Sequence, residues 1–131
     1  MMTKQEHIDY WIKTADDNWE DAQILFGLKR YSLALFMGHL LLEKLAKGLW
    51  VKHNEENFPP KIHNIVKILK GTKISFSEEQ GLFFQKMNDF QLEGRYPDYR
   101  DMVYKLLDAE TTQDYITKIN EQRTWLLKML Q

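Results

Sequence analysis

One segment limits what this chain can fold into more than any other. It runs from residue 31 to residue 53, with the sequence YSLALFMGHLLLEKLAKGLWVKH. Apolar side chains would cover nearly the whole circumference of a helix formed here, and such a helix is buried by neighbours on several sides. Its central polar residues His39, Glu43 and Lys47 are spaced four apart, so they form one stripe along the helix. We therefore expect a central helix whose polar stripe is the first place to look for function.

A second long helix is predicted before this segment. Apolar residues recur at every third or fourth position between residues 3 and 28, and Thr3 with Glu6 forms a capping-box pattern. The acidic residues of the opposite face are interpreted as a solvated surface. Because the connection to the central helix is very short, the two helices should be antiparallel neighbours.

Two shorter helices are predicted after the loop at residues 54–61, which carries the paired prolines. The apolar side of the first is formed by Ile62, Ile65, Val66 and Leu69. The second begins at the capping-box pattern of Ser77 with Gln80 and should end near Gly94. Its apolar positions are Leu82, Phe83, Phe84, Met87 and Phe90.

The chain should close with one more helix. The sequence GRYPDYR at residues 94–100 predicts a loop, and a helix is expected at about residues 111–130. No repeat or break in composition suggests a second domain, so residues 1–131 are predicted to form a single domain. The predicted fold class is all-α, an up-and-down bundle of four to five helices.

The composition argues against several functions. Eighteen basic and nineteen acidic residues give a formal charge of −1, which is not typical of a broad nucleic-acid-coating or membrane-binding surface. The absence of cysteine excludes disulfides, thiol catalysis and thiolate metal sites. The first residues lack the apolar core of a signal peptide, so we expect a cytoplasmic location.

The histidines do not form a familiar metal motif. Di-iron sites in helical bundles use Glu-x-x-His pairs. The residues three before His7, His39, His53 and His63 are Lys4, Phe36, Trp50 and Pro60. His39 and Glu43 are spaced to share a ligand on one helix face, but two ligands do not complete a site. Phosphate-loop, serine-elbow and zincin motifs are also absent from the sequence, so no metal or cofactor is predicted.

Two interpretations of the polar stripe remain open. In the first, Glu43 and Lys47 form a favourable helical pair and His39 is hydrogen-bonded in the core. In the second, the stripe lines a cleft or dimer groove and binds an anionic ligand or a partner chain. Arg95 likewise either pairs with Asp98 or a neighbouring helix, or clamps a phosphate or carboxylate group.

Four segments, in this order, resemble a small prokaryotic HEPN-domain protein across essentially the whole chain: WIKTADDNWEDAQILF, YSLALFMGHLLLEKLAKGLWVKH, HNIVKIL and RYPDY. The most specific pieces are His39 with Glu43, Lys44 and Lys47, and the loop at residues 95–98. The resemblance implies a helical bundle that commonly dimerises. It also implies pairing with a minimal nucleotidyltransferase, as toxin and antitoxin or as a related nucleotide-handling pair.

Ribonuclease members of that family carry an arginine followed, after four to six residues, by a histidine. In this sequence that spacing after Arg95 reaches Arg100, Asp101 and Met102, and no other arginine satisfies it. The motif is absent, which argues against metal-independent RNA cleavage. The resemblance still implies nucleotide or RNA contact at His39, Lys47 and Arg95.

The favoured hypothesis is a noncatalytic HEPN-type homodimer that pairs with a nucleotidyltransferase-type partner and binds a nucleotide or RNA. In this hypothesis the loop at residues 95–98 folds over the stripe. The predicted ligand-binding residues are His39, Glu43, Lys47, Arg95, Tyr96 and Asp98. Two alternatives stay open: a toxin-like RNA endonuclease in which His39 or His63 replaces the missing histidine, and a plain protein-interaction bundle.

Overall fold

A computed structural model describes residues 1–92 and 107–131 of the chain. Within those two ranges the regular structure is helical, without a β-strand. The α-helices are α1 (Lys4–Gly27), α2 (Tyr31–His53), α3 (Ile65–Lys70), α4 (Glu78–Met87) and α5 (Ala109–Leu130). A 3-10 helix, Asn88–Leu92, follows α4 directly. The predicted all-α fold class is confirmed.

Helix α1 begins at the predicted capping box. The Thr3 hydroxyl accepts a hydrogen bond from the Glu6 backbone N–H at 3.1 Å, and the Glu6 carboxylate accepts from the Thr3 N–H at 3.2 Å. These bonds satisfy two backbone donors that a helix start leaves without intrahelical partners. The helix ends at Gly27, and Lys29 in the following turn has a left-handed φ of 61°. The chain then reverses into α2.

Helix α2 is the most buried of the described helices, as its apolar circumference predicts. Helix α1 runs antiparallel to it: the Lys4 ammonium reaches the Val51 carbonyl, and the Asn18 amide reaches the sulfur of Met37. Antiparallel packing brings the apolar face of α1 against the whole length of α2. The remaining sides of α2 contact α3, α5 and the 3-10 helix.

Helix α5 packs against α2 in the same direction. A Cβ atom added at Gly38 would lie 2.5 Å from Ile119 Cδ1, and one at Gly48 would lie 3.4 Å from Leu130 Cδ2. A side chain at residue 38 would therefore force the Ile119 side chain to move, and glycine lets the two helices approach closely. Helix α4 runs antiparallel to α5, because Phe83 stacks on Tyr115 with ring centroids 6.5 Å apart and the Gln80 amide binds the Gln122 side chain. The four longer helices alternate in direction along the chain, as in an up-and-down bundle.

Lysine side chains close the C-terminal ends of α2 and α5. The Lys4 ammonium donates to the carbonyls of Val51 and Asn54, both at 2.8 Å. The Lys52 ammonium donates to the Met129 carbonyl at 2.7 Å. The last carbonyls of a helix lack intrahelical donors, and cations are favourable there. These bonds fix the helix ends that surround the core.

Two helix boundaries differ from those predicted. Helix α3 starts at Ile65 because the Asn64 side chain caps it by accepting from the Lys67 N–H, which leaves Ile62 outside the helix and exposed. Helix α5 starts two residues earlier than expected, because the Asp108 side chain caps it. Side-chain caps of this kind set where a helix begins more closely than apolar periodicity does.

The fourth helix differs from its apolar pattern at one position. Leu82 is 61% exposed and does not belong to the core, although Phe84, Met87 and Phe90 do. The α-helical hydrogen bonding stops at Met87 and passes into the 3-10 helix. The expected end at Gly94 lies outside the described residues. None of the described helices is both long enough and apolar enough to span a membrane.

Candidate functional site

The polar stripe of α2 is buried in the bundle. The exposed fraction is 0% for His39, 5% for Glu43 and 8% for Lys47. Burying a charged or polar side chain is costly unless it is hydrogen-bonded or paired. The partners of these three side chains therefore decide what the stripe can do.

Glu43 is the centre of a polar cluster. Its Oε2 accepts a hydrogen bond from the Lys47 ammonium at 3.1 Å, across one turn of α2. Its Oε1 lies 3.1 Å from Nδ1 of His63, in the loop that leads to α3, and 3.9 Å from Nδ1 of His39. One carboxylate thus faces an ammonium group and two imidazoles. We call His39, Glu43, Lys47, His63 and Asn88 the Glu43 cluster.

His39 is bonded through its other ring nitrogen. Its Nε2 lies 3.1 Å from the backbone carbonyl of His63 and 3.3 Å from Oδ1 of Asn88. The Asn88 Oδ1 also accepts from the Ile65 N–H, so both neighbours of Nε2 are acceptors. Nε2 must carry the hydrogen, and Nδ1 is left without a hydrogen-bond partner. Burial lowers the pKa of His39, against the opposing effect of the nearby Glu43 carboxylate. The imidazole is therefore neutral at pH 7.

His63 is the accessible imidazole of the cluster. Its side chain is 48% exposed, although Glu43 beside it is almost fully buried. Because the carboxylate of Glu43 accepts a hydrogen bond, the hydrogen of a neutral His63 ring lies on Nδ1. Nε2 is then an acceptor, and no partner for it lies among the residues that the structure describes. Glu43 orients His63 in the way that a carboxylate commonly orients a functional histidine.

Two lysines complete the surroundings of Glu43. The Lys47 ammonium lies 5.7 Å from the ring centroid of Trp11 on α1, within cation–π range. Lys44 is half-buried, and burial lowers its pKa, while Glu43 and Asp17 act in the opposite direction. Both lysines follow Glu43 on α2, and Lys47 is the one that contacts its carboxylate.

The structure brings together half of the predicted ligand-binding residues. His39, Glu43 and Lys47 lie in the Glu43 cluster, while Arg95, Tyr96 and Asp98 lie outside the described residues. The convergence of the loop at residues 95–98 with the stripe thus stays a prediction. The sequence interpretation missed Asn88, whose contact with His39 joins segments 49 residues apart and leaves no local signal. It considered His63 only as a replacement catalytic histidine.

A metal site needs several ligand side chains close together. In residues 1–92 and 107–131, no three His, Asp or Glu side chains are grouped so that they could hold a metal ion. His39 uses Nε2 and His63 uses Nδ1 for contacts within the protein. The chemistry available in the cluster is therefore hydrogen bonding and proton exchange.

A comparison with protein-family models identifies the fold family. The HEPN domain model matches residues 8–129. The chain belongs to the HEPN domain family. Searches of curated proteins and of solved structures found no match. The matched range contains all of α2 and α3, so the Glu43 cluster lies within the HEPN domain itself.

Proposed function

We propose that this HEPN protein is a noncatalytic subunit that forms a homodimer, pairs with a nucleotidyltransferase-type partner and binds a nucleotide or RNA at the Glu43 cluster. The observation that carries the proposal is the arrangement around Glu43. A buried carboxylate holds an ammonium group and an accessible imidazole in fixed positions. Fixed imidazole and ammonium groups are suited to binding a phosphate group.

A noncatalytic role is supported by two features. The sequence lacks the arginine and histidine spacing of HEPN ribonucleases. In addition, His39, the histidine of the stripe, is fully buried and is hydrogen-bonded to His63 and Asn88. A group that is enclosed and engaged in this way cannot reach an RNA ribose without opening of the bundle.

A residual ribonuclease is the second candidate, and one observation favours it. His63 is exposed, and Glu43 orients it as a carboxylate orients a general base. If this candidate is correct, single-stranded RNA is cleaved by the wild type, and cleavage is lost in His63→Gln and kept in His39→Gln. If the wild type leaves RNA intact under metal-free conditions, the noncatalytic proposal stands.

Homodimer formation is supported by exposed apolar side chains. Large apolar residues of the described chain that are more than half exposed include Tyr10, Ile24, Leu28, Phe58 and Leu82. A homodimer would remove part of this apolar surface from water. Sedimentation velocity at a protein concentration of about tens of micromolar, which covers micromolar affinity, should give twice the chain mass of 15.8 kDa. A single species at the monomer mass would contradict the dimer.

The pairing with a nucleotidyltransferase can be tested first in the genome and then with the two proteins. We expect a gene for a small nucleotidyltransferase beside the gene for this chain. The two proteins, co-expressed with a tag on the nucleotidyltransferase alone, should elute as one complex. Separate elution of the two folded proteins would contradict the pairing.

Ligand binding is tested by calorimetry with a nucleotide and with a short single-stranded RNA. Binding to the wild type should weaken as salt rises, because contacts to phosphate dominate such affinities. His39→Ala and Arg95→Ala, once shown to be folded, should bind more weakly. Unchanged binding in both variants would place the site elsewhere. No binding by the wild type even at low salt would support a plain interaction bundle.

A further inference from the structure

We propose that His63 is the residue through which the Glu43 cluster contacts its ligand, and that the group it binds is a phosphate monoester. This inference rests on the proposed nucleotide-binding function and names the contacting atom, Nε2 of His63. Glu43 is a positioning residue that acts through His63.

His63 is the ionisable side chain beside Glu43 that solvent can reach. Of the three ionisable side chains that contact the Glu43 carboxylate, His39 is 0% exposed and Lys47 is 8% exposed. The His63 side chain is 48% exposed. A ligand arriving from solvent therefore meets His63 first, while Lys47 pairs with the carboxylate and His39 lies enclosed in the bundle.

His63 is held at two points: its Nδ1 contacts Glu43 at 3.1 Å, and its backbone carbonyl contacts Nε2 of His39 at 3.1 Å. The Asn88 side chain ties the same region to the start of the 3-10 helix by binding both His39 and the Ile65 N–H. An exposed ring anchored in this way has lost part of its rotamer freedom before a ligand binds. Such preorganisation improves affinity.

With its hydrogen on Nδ1, a neutral His63 ring presents a lone pair on Nε2. A phosphate monoester with its second proton still bound donates a P–O–H hydrogen to that lone pair. Because this proton has a pKa of about 6, the same proton can sit on Nε2 instead and point back to the phosphate dianion. Either form gives one hydrogen bond: in the second form the O–H bond of the phosphate has been exchanged for an N–H bond on Nε2, and no bond to phosphorus forms or breaks. A phosphate diester has no such proton to share.

The charges near His63 are compatible with an anionic ligand. Lys47 balances the formal charge of Glu43, so no uncompensated carboxylate lies behind the imidazole to repel an anion. Exposed Lys61 and Lys67 lie two residues before and four residues after His63 in the chain. The surroundings of His63 are thus compatible with a phosphate group.

The experiment follows the imidazole nitrogen resonances of the full-length protein by ¹⁵N NMR near pH 6. The probes are methyl phosphate, a monoester, and dimethyl phosphate, a diester. Methyl phosphate should shift the His63 resonances in a saturable way, and dimethyl phosphate should not. His7 serves as an internal reference because it lies on α1, outside the Glu43 cluster. Equal effects of the two probes, or none of methyl phosphate on His63, would overturn the proposal.

Variants then separate contact from support. His63→Gln removes the ring but keeps the backbone carbonyl that binds His39, and it should weaken binding of adenosine monophosphate at least tenfold. His7→Gln, which changes a histidine of α1, is the matched control and should stay within twofold. Glu43→Leu, which leaves no side-chain oxygen to accept from Nδ1, should change the tautomer of His63 seen in the ¹⁵N spectrum, an effect that general loss of stability does not produce.

The outcomes also separate this proposal from the function on which it rests. If adenosine monophosphate binds wild type and His63→Gln equally, the role of His63 is overturned and nucleotide binding stands. If the wild type binds no nucleotide, nucleotide binding falls and the role of His63 falls with it. An unchanged His63 tautomer in folded Glu43→Leu would overturn the positioning role of Glu43 alone.

Discussion

The polar stripe of α2 and the acidic face of α1 hold similar side chains in opposite environments. Asp9, Asp17 and Glu20 on α1 are exposed to solvent. Glu43 on α2 is buried and contacts Lys47 and His63. The difference follows from the helices that carry them, because among the described residues one face of α1 has no neighbours whereas α2 is surrounded. A polar residue on a surrounded helix needs a partner inside the protein, so it reports a specific contact.

The two helices also differ in how they are held. Helix α1 begins at a complete capping box, whereas Arg30 at the start of α2 makes no side-chain capping bond. Helix α2 depends instead on burial and on the contacts of its polar stripe. Substitutions matched between the two helices can test this contrast.

The largest difference in the free energy of unfolding should appear between a buried and an exposed aliphatic side chain of the same size. Leu45→Ala on α2, at a position 1% exposed, should lower the free energy of unfolding by about 2–5 kcal/mol because it leaves a cavity. Ile24→Ala on α1, at a position 61% exposed, should change it by less than about 0.5 kcal/mol. Urea denaturation of both variants gives the comparison. A loss well below 1 kcal/mol at Leu45 would contradict the central position of α2.

The carboxylates should show the next largest contrast. Glu43→Gln removes a charged partner of Lys47 and His63 and should cost about 1.5–3 kcal/mol. Glu20→Gln on the exposed face of α1 should stay within about 0.5 kcal/mol. Both values come from denaturant unfolding near neutral pH. Equal effects of the two substitutions would mean that the hydrogen bonds of Glu43 contribute no more to stability than the hydration of a surface carboxylate.

Acidification should act on the buried stripe through His39. The folded-state pKa of His39 lies below its ordinary value of 6.5 because of burial. The unfolded chain therefore binds a proton first, and the contribution of neutral His39 to stability, present above pH 6.5, is lost as pH falls below it. The slope from this one group is at most about 1.4 kcal/mol per pH unit.

His39→Gln is the control for that effect. Its free energy of unfolding, measured over the same pH series, should fall less steeply than that of the wild type below pH 6.5. Parallel curves for the two proteins would show that His39 does not titrate differently on unfolding.

The smallest contrast concerns the helix starts. Thr3→Ala removes the hydroxyl that accepts from the Glu6 N–H and should cost about 0.5–2 kcal/mol. Arg30→Ala should change stability by less than about 0.5 kcal/mol, because no capping bond is lost. A cost at Arg30 as large as that at Thr3 would require a contact of the arginine that the capping geometry does not include.

Local features of the sequence were sufficient to predict most of the fold. The capping boxes at Thr3 and Ser77 and the apolar circumference of α2 involve residues close in sequence, and all three are confirmed. The start of α3 was predicted wrongly because the Asn64 side-chain cap outweighs the apolar pattern that included Ile62. The change from α4 to the 3-10 helix after Met87 was not predicted, because periodicity does not separate an α-helix from a following 3-10 helix.

The candidate site was predictable only where its contacts are local. The spacing of Glu43 and Lys47 on one helix face predicts their ion pair, which the structure confirms. The contacts of His63 with Glu43 and of Asn88 with His39 join distant segments, so nothing in the local pattern indicates them. They follow from how α3 and the 3-10 helix pack against α2.

The Glu43 cluster should hold the imidazoles of His39 and His63 in opposite tautomers. The ¹⁵N spectrum of the wild-type imidazoles at neutral pH measures this directly. We expect the hydrogen of His39 on Nε2, where two oxygen acceptors face it, and the hydrogen of His63 on Nδ1, where the Glu43 carboxylate accepts it. The same tautomer in both rings, or a hydrogen on Nδ1 of His39, would contradict the arrangement of the Glu43 cluster.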